Sequence, residues 1–228
     1  MHEYPPSAPG GTQVLTSVSN AARVLKEFGN GDRELGVSDL SRRLGIGKSS
    51  AHRLVHTLAV ERLLEQDPDT GLYRLAVTMH QLGAQVQEAV DLHTAANPVV
   101  EQLRNLTKET VQIAVLDGRH VVYVERRESP QTVRLFGRVG HRNHAHCTST
   151  GKVLLAGLSR PELDRTISGW RLPRRTAYTI TTHAALLAEL DVVREQGWAE
   201  NINESEVGVA SVAAPIRDSA GIVAAVSI

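Results

Sequence analysis

The stretch Val37–Leu58, VSDLSRRLGIGKSSAHRLVHTL, constrains this chain more than any other because it holds two apolar helical faces separated by a glycine turn. Leu40 and Leu44 fall four apart in its first half, while Ala51, Leu54, Val55 and Leu58 recur at helical spacing in its second. Each half therefore predicts a helix with one face to bury, and two such faces packed across a tight turn cover each other. Ser41 stands where the helices cross closest and has to be small. Gly45 supplies a left-handed turn position at no steric cost, and Ile46 plugs the turn into the core. The outer side of the second helix is left with Lys48, Ser49, Ser50, His52 and Arg53, donors and acceptors suited to phosphate oxygens and base edges. A plain helical hairpin with one wet face shares that pattern, and charge separates the two readings. Between Val37 and Arg62 the bases Arg42, Arg43, Lys48, Arg53 and Arg62 face only Asp39 and Glu61, on a chain whose 25 basic and 25 acidic side chains cancel. Positive charge gathered at one place on a neutral chain points to a local phosphate contact rather than to a protein that coats nucleic acid. Arg42, Arg43, Lys48, Ser49, Ser50, His52 and Arg53 are the candidate DNA-contacting residues, and double-stranded operator DNA is the expected partner.

Flanking segments complete a domain. LLEQDPDTGLYRLA reads as strands at Leu63–Gln66 and Leu72–Leu75 around the turn formers Asp67, Pro68, Asp69, Thr70 and Gly71. A hairpin straight after the second helix is a wing, and its two tip aspartates, which phosphate repels, are expected to stand off the DNA. SVSNAARVLKEFG predicts a preceding helix capped by Ser17 or Ser19, with Val18, Ala21, Ala22, Leu25 and Phe28 on its buried face and Gly29 at its end. Residues 14–75 thus form a winged helix-turn-helix, behind a tail, 1–13, whose prolines and glycines predict disorder.

A chain of 228 residues has room for a second domain. Residues 76–91 predict a linker helix: Leu75, Met79, Leu82, Val86 and Ala89 recur at alternating steps of four and three, the spacing of a seam between dimer partners. Residues 92–228 alternate strand and helix signals. A helix at Pro98–Leu106 has Pro98 in its first turn. VQIAVLDGRHVVYVERR is a hairpin turning at Asp117-Gly118, and TVRLFGRVG is a third strand candidate. Helices at Thr150–Leu158, Pro161–Ser168 and His183–Gln196 precede a second hairpin, VGVASVAAPIRD with GIVAAVSI. The fold class is α+β, with a mixed sheet flanked by helices and large enough to enclose a small-molecule pocket. Cys147 is the only cysteine, which excludes an internal disulfide and suits a reducing compartment. No apolar run reaches membrane-spanning length and MHEYPPSAPGGTQ lacks the layout of a secretion signal, so a cytoplasmic protein is expected.

In this order the segments resemble the IclR family of bacterial transcription regulators, from about Val14 to the last residue. The resemblance rests on LSRRLGIGKSSAHRLVHTL, on the wing ending in YRLA, on the loop RNHAHCTSTGKVLLA and on the late segment GWAENINESEVGVASVAAPIRDSAGIVAAVSI. It implies a winged helix-turn-helix joined to a GAF-like effector-binding domain, a homodimer or dimer of dimers, no catalysis and no cofactor. The matching positions put effector contacts at Ser149, Thr150, Asn201, Ser211 and Ser227, with His146 and Gly151 in the same loop. From the residues themselves, amides at the start of the Thr150 helix favour an anionic oxygen, and the hydroxyls of Ser149, Thr150 and Ser211 are fit to orient it. A small carboxylate is the expected ligand, with Asn201 at the rim. Each hydroxyl could equally be a helix cap or a strand-surface serine. The loop departs from the family pattern at His144, where proline is usual, and Asn201 stands where an acid is common, so no relative's ligand transfers. The pattern also continues past Ile228, and an apolar terminus such as VAAVSI predicts a chain shortened at its end.

One cluster supports a different class. His141, His144, His146 and Cys147 crowd one loop, and imidazole with thiolate is a zinc ligand set. Their spacing matches no helix-borne pair or CxxC knuckle and no carboxylate is suitably placed, so neither a metal nor a metal-dependent enzyme is expected. A nucleoid protein would need no second domain. The expected function is a ligand-responsive transcription regulator, a repressor of a catabolic operon relieved or modulated by a small organic acid, with an activator of the same family as the alternative.

Overall fold

A computed structural model describes residues 14–89, 92–132, 138–219 and 221–228; the tail expected to be disordered lies outside the described residues. The chain divides into two compact units between Ala89 and Val90.

The first unit runs α1 (Thr16–Glu27), a 3-10 turn (Phe28–Asn30), α2 (Val37–Leu44), α3 (Lys48–Val60), β1 (Leu64–Gln66), β2 (Tyr73–Leu75) and α4 (Val77–Ala89). Gly45 closes α2 at φ 67° and ψ 32°. The Ile46 amide donates to the Ser41 carbonyl at 3.2 Å, and the Ser41 hydroxyl donates to the Ile46 carbonyl at 2.7 Å, so Ser41 holds the turn by hydrogen bonding. Leu40, Leu44, Val55 and Leu58 are buried with Val24, Phe28, Leu35, Leu64 and Tyr73, and Leu54 and Ile46 pack against them. At about 1.5–3 kcal/mol for each fully buried aliphatic or aromatic side chain, this core outweighs the weak intrinsic helicity of two short, serine-bearing helices. The first helix begins earlier than expected: Leu15 is at its N-cap, no side chain caps it, and Ser17 and Ser19 lie inside it. Val18 is exposed and Val24, not singled out by the sequence, is fully buried, because the packed face is chosen by α2 and α3 and not by periodicity alone. Each wing strand starts one residue later than expected, and Leu35 adds a bridge to Tyr73 through hydrogen bonds of 2.9 and 3.0 Å. Asp67 Oδ1 accepts the amides of Asp69 and Thr70, each at 2.9 Å; those amides, Thr70 first, hold its carboxyl below the usual range. Leu75 ends β2 instead of opening the seam, while Val77 and Leu82 of α4 are exposed. The side chains of Val86 and Ala89 lie outside the described residues.

The second unit contains α5 (Leu92–Thr107), β3 (Val111–Asp117), β4 (His120–Arg127), β5 (Arg142–His144), a 3-10 turn (Ala145–Cys147), α6 (Ser149–Ala156), α7 (Arg160–Ile167), α8 (His183–Gln196), β6 (Ala199–Ile202), β7 (Ala210–Asp218) and β8 (Gly221–Ser227). Its strands form one sheet in the order β5-β4-β3-β8-β7-β6, and every described pairing is antiparallel. The mixed sheet expected from alternating strand and helix signals is thus corrected. Two hairpins, β3–β4 and β7–β8, lie side by side through β3 and β8, and the helical excursion from β5 to β6 joins opposite edges, so it makes no neighbouring parallel pair. On one face Ala96, Val100 and Leu103 of α5 cover Val111, Ile113 and Ala224. On the other, α6 and α8 bury Ala114, Val121, Tyr123, Ala213 and Ala225. Pro98 is interior to α5, which begins six positions before it, since the apolar face that docks on the sheet starts earlier than a first-turn proline predicts. Of the strand candidate TVRLFGRVG, residues 133–137 lie outside the described residues.

Candidate functional site

Two constellations were predicted, one in each unit. On α3, Lys48, Ser49, His52 and Arg53 are exposed and Ser50 is half-buried. With Val37 of α2, the first four line an open depression. Lys48 and Arg53 have no carboxylate partner among the described residues. His56, one turn beyond His52, shares this face with the two rings 6.4 Å apart; the i to i+4 spacing was the available signal. The two arginines of α2 behave differently. Arg42 meets Asp39 at 2.6 Å with its side chain 73% exposed, a surface pair weak enough to exchange for phosphate. Arg43 reaches Asp32 at 2.6 Å and Glu27 at 3.9 Å, and the Asp32 hydrogen bond raises its pKa. That side chain braces α2 against the end of α1.

In the second unit the 3-10 turn delivers the chain into α6, all eight residues of which are buried. Thr148 caps the helix, its hydroxyl accepting the Gly151 amide at 3.2 Å. Gly151 therefore spends its amide on the cap. Its lack of a side chain is needed elsewhere, because a Cβ would stand 2.1 Å from the Ala145 carbonyl oxygen. The hydroxyls of Ser149 and Ser211 meet at 2.8 Å, joining α6 to β7. Thr150 Oγ1 is buried without a hydrogen-bond partner, at the helix start where the first amides have no intrahelical acceptor. Ser227 pairs in register with Ala213, two residues from Ser211, so both serines face the α6 side of the sheet. Asn201 shares that side but is not at a rim: it is 2% exposed, accepts the Glu204 amide at 2.9 Å and donates to Ser205 Oγ at 3.0 Å. Its amide locks the turn after β6 through partners three and four residues along the chain. Under the same turn Lys152 Nζ, almost fully buried, meets Glu189 and Glu204 at 2.7 Å each. Burial raises the Glu204 carboxyl above its usual range, against the opposing pull of Lys152.

The four candidate metal ligands do not converge, and among the described residues no group of three or more His, Cys, Asp or Glu is placed to hold a metal. His141 is exposed and stacks on Tyr123; His144 packs beside His120. His146 is buried edge-on to Trp170, with Nε2 3.1 Å from the Pro173 carbonyl oxygen. Burial lowers its pKa to about 4, so at neutral pH the ring is uncharged and its Nε2 proton goes to that carbonyl. Burial pushes the Cys147 thiol up to about 12, which leaves it protonated and neither a nucleophile nor a thiolate ligand.

Two residues that sequence reasoning passed over share the α6 side of the sheet. Gln112 of β3 lies opposite both Ser227 and Arg126, and both Gln112 and Arg126 are buried. No local pattern marks them.

Comparison with known proteins fits both units. The IclR helix-turn-helix domain family matches residues 17–68, and the family described as bacterial transcriptional regulator IclR, C-terminal, matches residues 84–228. The regulator KdgR of Escherichia coli is 36% identical over 92% of this chain and 80% of its own. XynR of the same organism is 33% identical over 94% and 86%. Among solved structures, an IclR homologue from Microbacterium hydrocarbonoxydans complexed with 4-hydroxybenzoate is 29% identical, with a TM-score of 0.82 over 93% of this chain and 88% of that one. Matched in both units and in their order along the sequence, the chain belongs to the IclR family of bacterial DNA-binding transcription regulators.

Proposed function

We propose that the first unit reads operator DNA with the outer face of α3, and that the second binds a small organic acid between the start of α6 and strands β6–β8, altering operator affinity. The observation that carries the ligand reading is Thr150 Oγ1, buried and unpartnered beside the Ser149–Ser211 pair. A buried hydroxyl without a partner costs about 1–3 kcal/mol, which a ligand oxygen would recover. The 4-hydroxybenzoate held by the Microbacterium homologue is itself a carboxylate. Repression is the mode we assign, in line with AllR of Salmonella paratyphi A, a repressor 30% identical to this chain. The exposed Val77 and Leu82 suit a homodimer contact through α4, and a dimer matches the two-fold symmetry of operators. Catalysis and a cofactor have no part in this reading. No helix among the described residues is long and apolar enough to cross a membrane; the cytoplasm is the compartment we assign, on the strength of the proposed DNA partner.

Arg53→Ala is expected to lower affinity for an operator selected from genomic fragments about tenfold or more, since one base-directed contact is worth about 1–3 kcal/mol, with the melting temperature unchanged. Equal titration curves for variant and wild type would remove α3 from the interface. Thr150→Leu with Ser211→Leu is expected to fill the ligand site and abolish ligand-dependent release while operator binding without ligand persists. Release of this double variant at the wild-type ligand concentration would place the pocket elsewhere. By linkage, DNA must weaken the ligand by the factor with which the ligand weakens DNA.

A further inference from the structure

We propose that Arg126, aligned with Gln112 and Ser227, takes the carboxylate of the effector. This rests on the reading of the second unit as an acid-binding site. The register runs Arg126 opposite Gln112, Gln112 opposite Ser227, and Ser227 opposite Ala213. Directly opposed residues present their side chains to one face, so three buried polar side chains form a row across β4, β3 and β8, 9%, 7% and 5% exposed. Two residues further along the strands, the same face turns apolar, with Ala114 and Ala225 in the core beneath α6. The polar row is thus confined to one end of the sheet.

A backbone irregularity decides which charge it carries. Strict alternation from Tyr123, which faces α6, would put Glu125 on the α6 side and Arg126 on the other. The register shifts between Ile113 and Ala114, and such a bulge inverts the facing of every residue beyond it. Glu125 and Arg127 are consequently on the α5 side, where they contact each other and Arg127 lies 3.5 Å from Glu101 of α5. Arg126 is turned to the α6 side, with Glu128 Oε1, itself 54% exposed, at 4.0 Å from its Nε. A guanidinium stays charged when buried and presents a planar fork that fits a carboxylate. Two strand spacings, about 10 Å, separate Arg126 from Ser227 along the row.

The test uses the full-length protein with pyruvate, gluconate and 4-hydroxybenzoate, each against its primary amide, by calorimetry and by operator release. R126Q, which keeps most of the length and loses the charge, is expected to bind whichever acid the wild type binds roughly tenfold or more weakly. The amide should change less than about twofold, because it never used the charge. R126M should repeat the loss if R126Q folds poorly, and operator affinity without ligand should match wild type in both. An unchanged preference for acid over amide in the folded variants overturns the Arg126 assignment alone. A wild type that binds DNA but responds to none of the three acids removes the acid-effector reading, and the assignment with it.

Discussion

Gly151→Ala is expected to destabilise the protein by about 3 kcal/mol or more in urea unfolding, the scale of an overpacked core with no means of relief. An added Cβ would meet the Ala145 carbonyl oxygen at 2.1 Å and its Cα at 2.4 Å. Both are backbone atoms of the 3-10 turn that feeds α6, so no rotamer change relieves the contact. Relief would have to part the helix from the turn, breaking the Thr148 cap and drawing Ser149 away from Ser211. Gly47→Ala is the control: Gly47 is at φ −59° with nothing within 4 Å of the added carbon, and an alanine there should cost at most a few tenths of a kcal/mol to about 1 kcal/mol, the cost of a poorer N-cap. If Gly151→Ala were as mild as Gly47→Ala, the close approach of α6 to Ala145 would be disproved.

Lys152→Met is expected to cost about 3–5 kcal/mol at neutral pH, because it strands the Glu189 and Glu204 carboxylates beside a buried methyl thioether. The loss should depend on pH in a definite direction. Burial raises the folded-state pKa of Glu204 above the ordinary carboxyl range. The neutral carboxyl therefore contributes stability that is full below the unfolded pKa and is lost as pH rises through the folded one. Removing Lys152 takes away the influences that oppose this rise, so the variant should recover stability as the pH is lowered from neutral toward 5. Urea titrations across that range test it, and Glu204→Gln added to Lys152→Met should recover part of the loss at neutral pH. A deficit that ignores both pH and the second substitution would mean that packing, not charge, is what Lys152 supplies.

The helix-turn-helix was legible because its determinants are local: three- and four-residue apolar spacing, a glycine in the left-handed turn, and serine next to it. Hairpins were legible for the same reason, from Asp117-Gly118 and the Asp67–Gly71 turn. The start of α1 and the place of Pro98 in α5 were misread, since caps and prolines express weak local preferences that docking on a core overrides. Arg42 and Arg43 are adjacent and alike in sequence. Their different fates depend on Asp32 and Glu27, which only the fold brings to Arg43.

By itself, the sequence determined two units, the type and order of their helices and hairpins, a cationic helix face in the first, and converging hydroxyls at Ser149 and Ser211 in the second. The tertiary structure alone decided that every described strand pairing of the sheet is antiparallel, that Asn201 is buried, and that Gln112 and Arg126 stand in line with Ser227. The reason is one of range. Helical faces and tight turns are set by neighbours a few residues away, whereas strand register joins segments at opposite ends of the unit, and a one-residue bulge there exchanges a buried glutamate for a buried arginine.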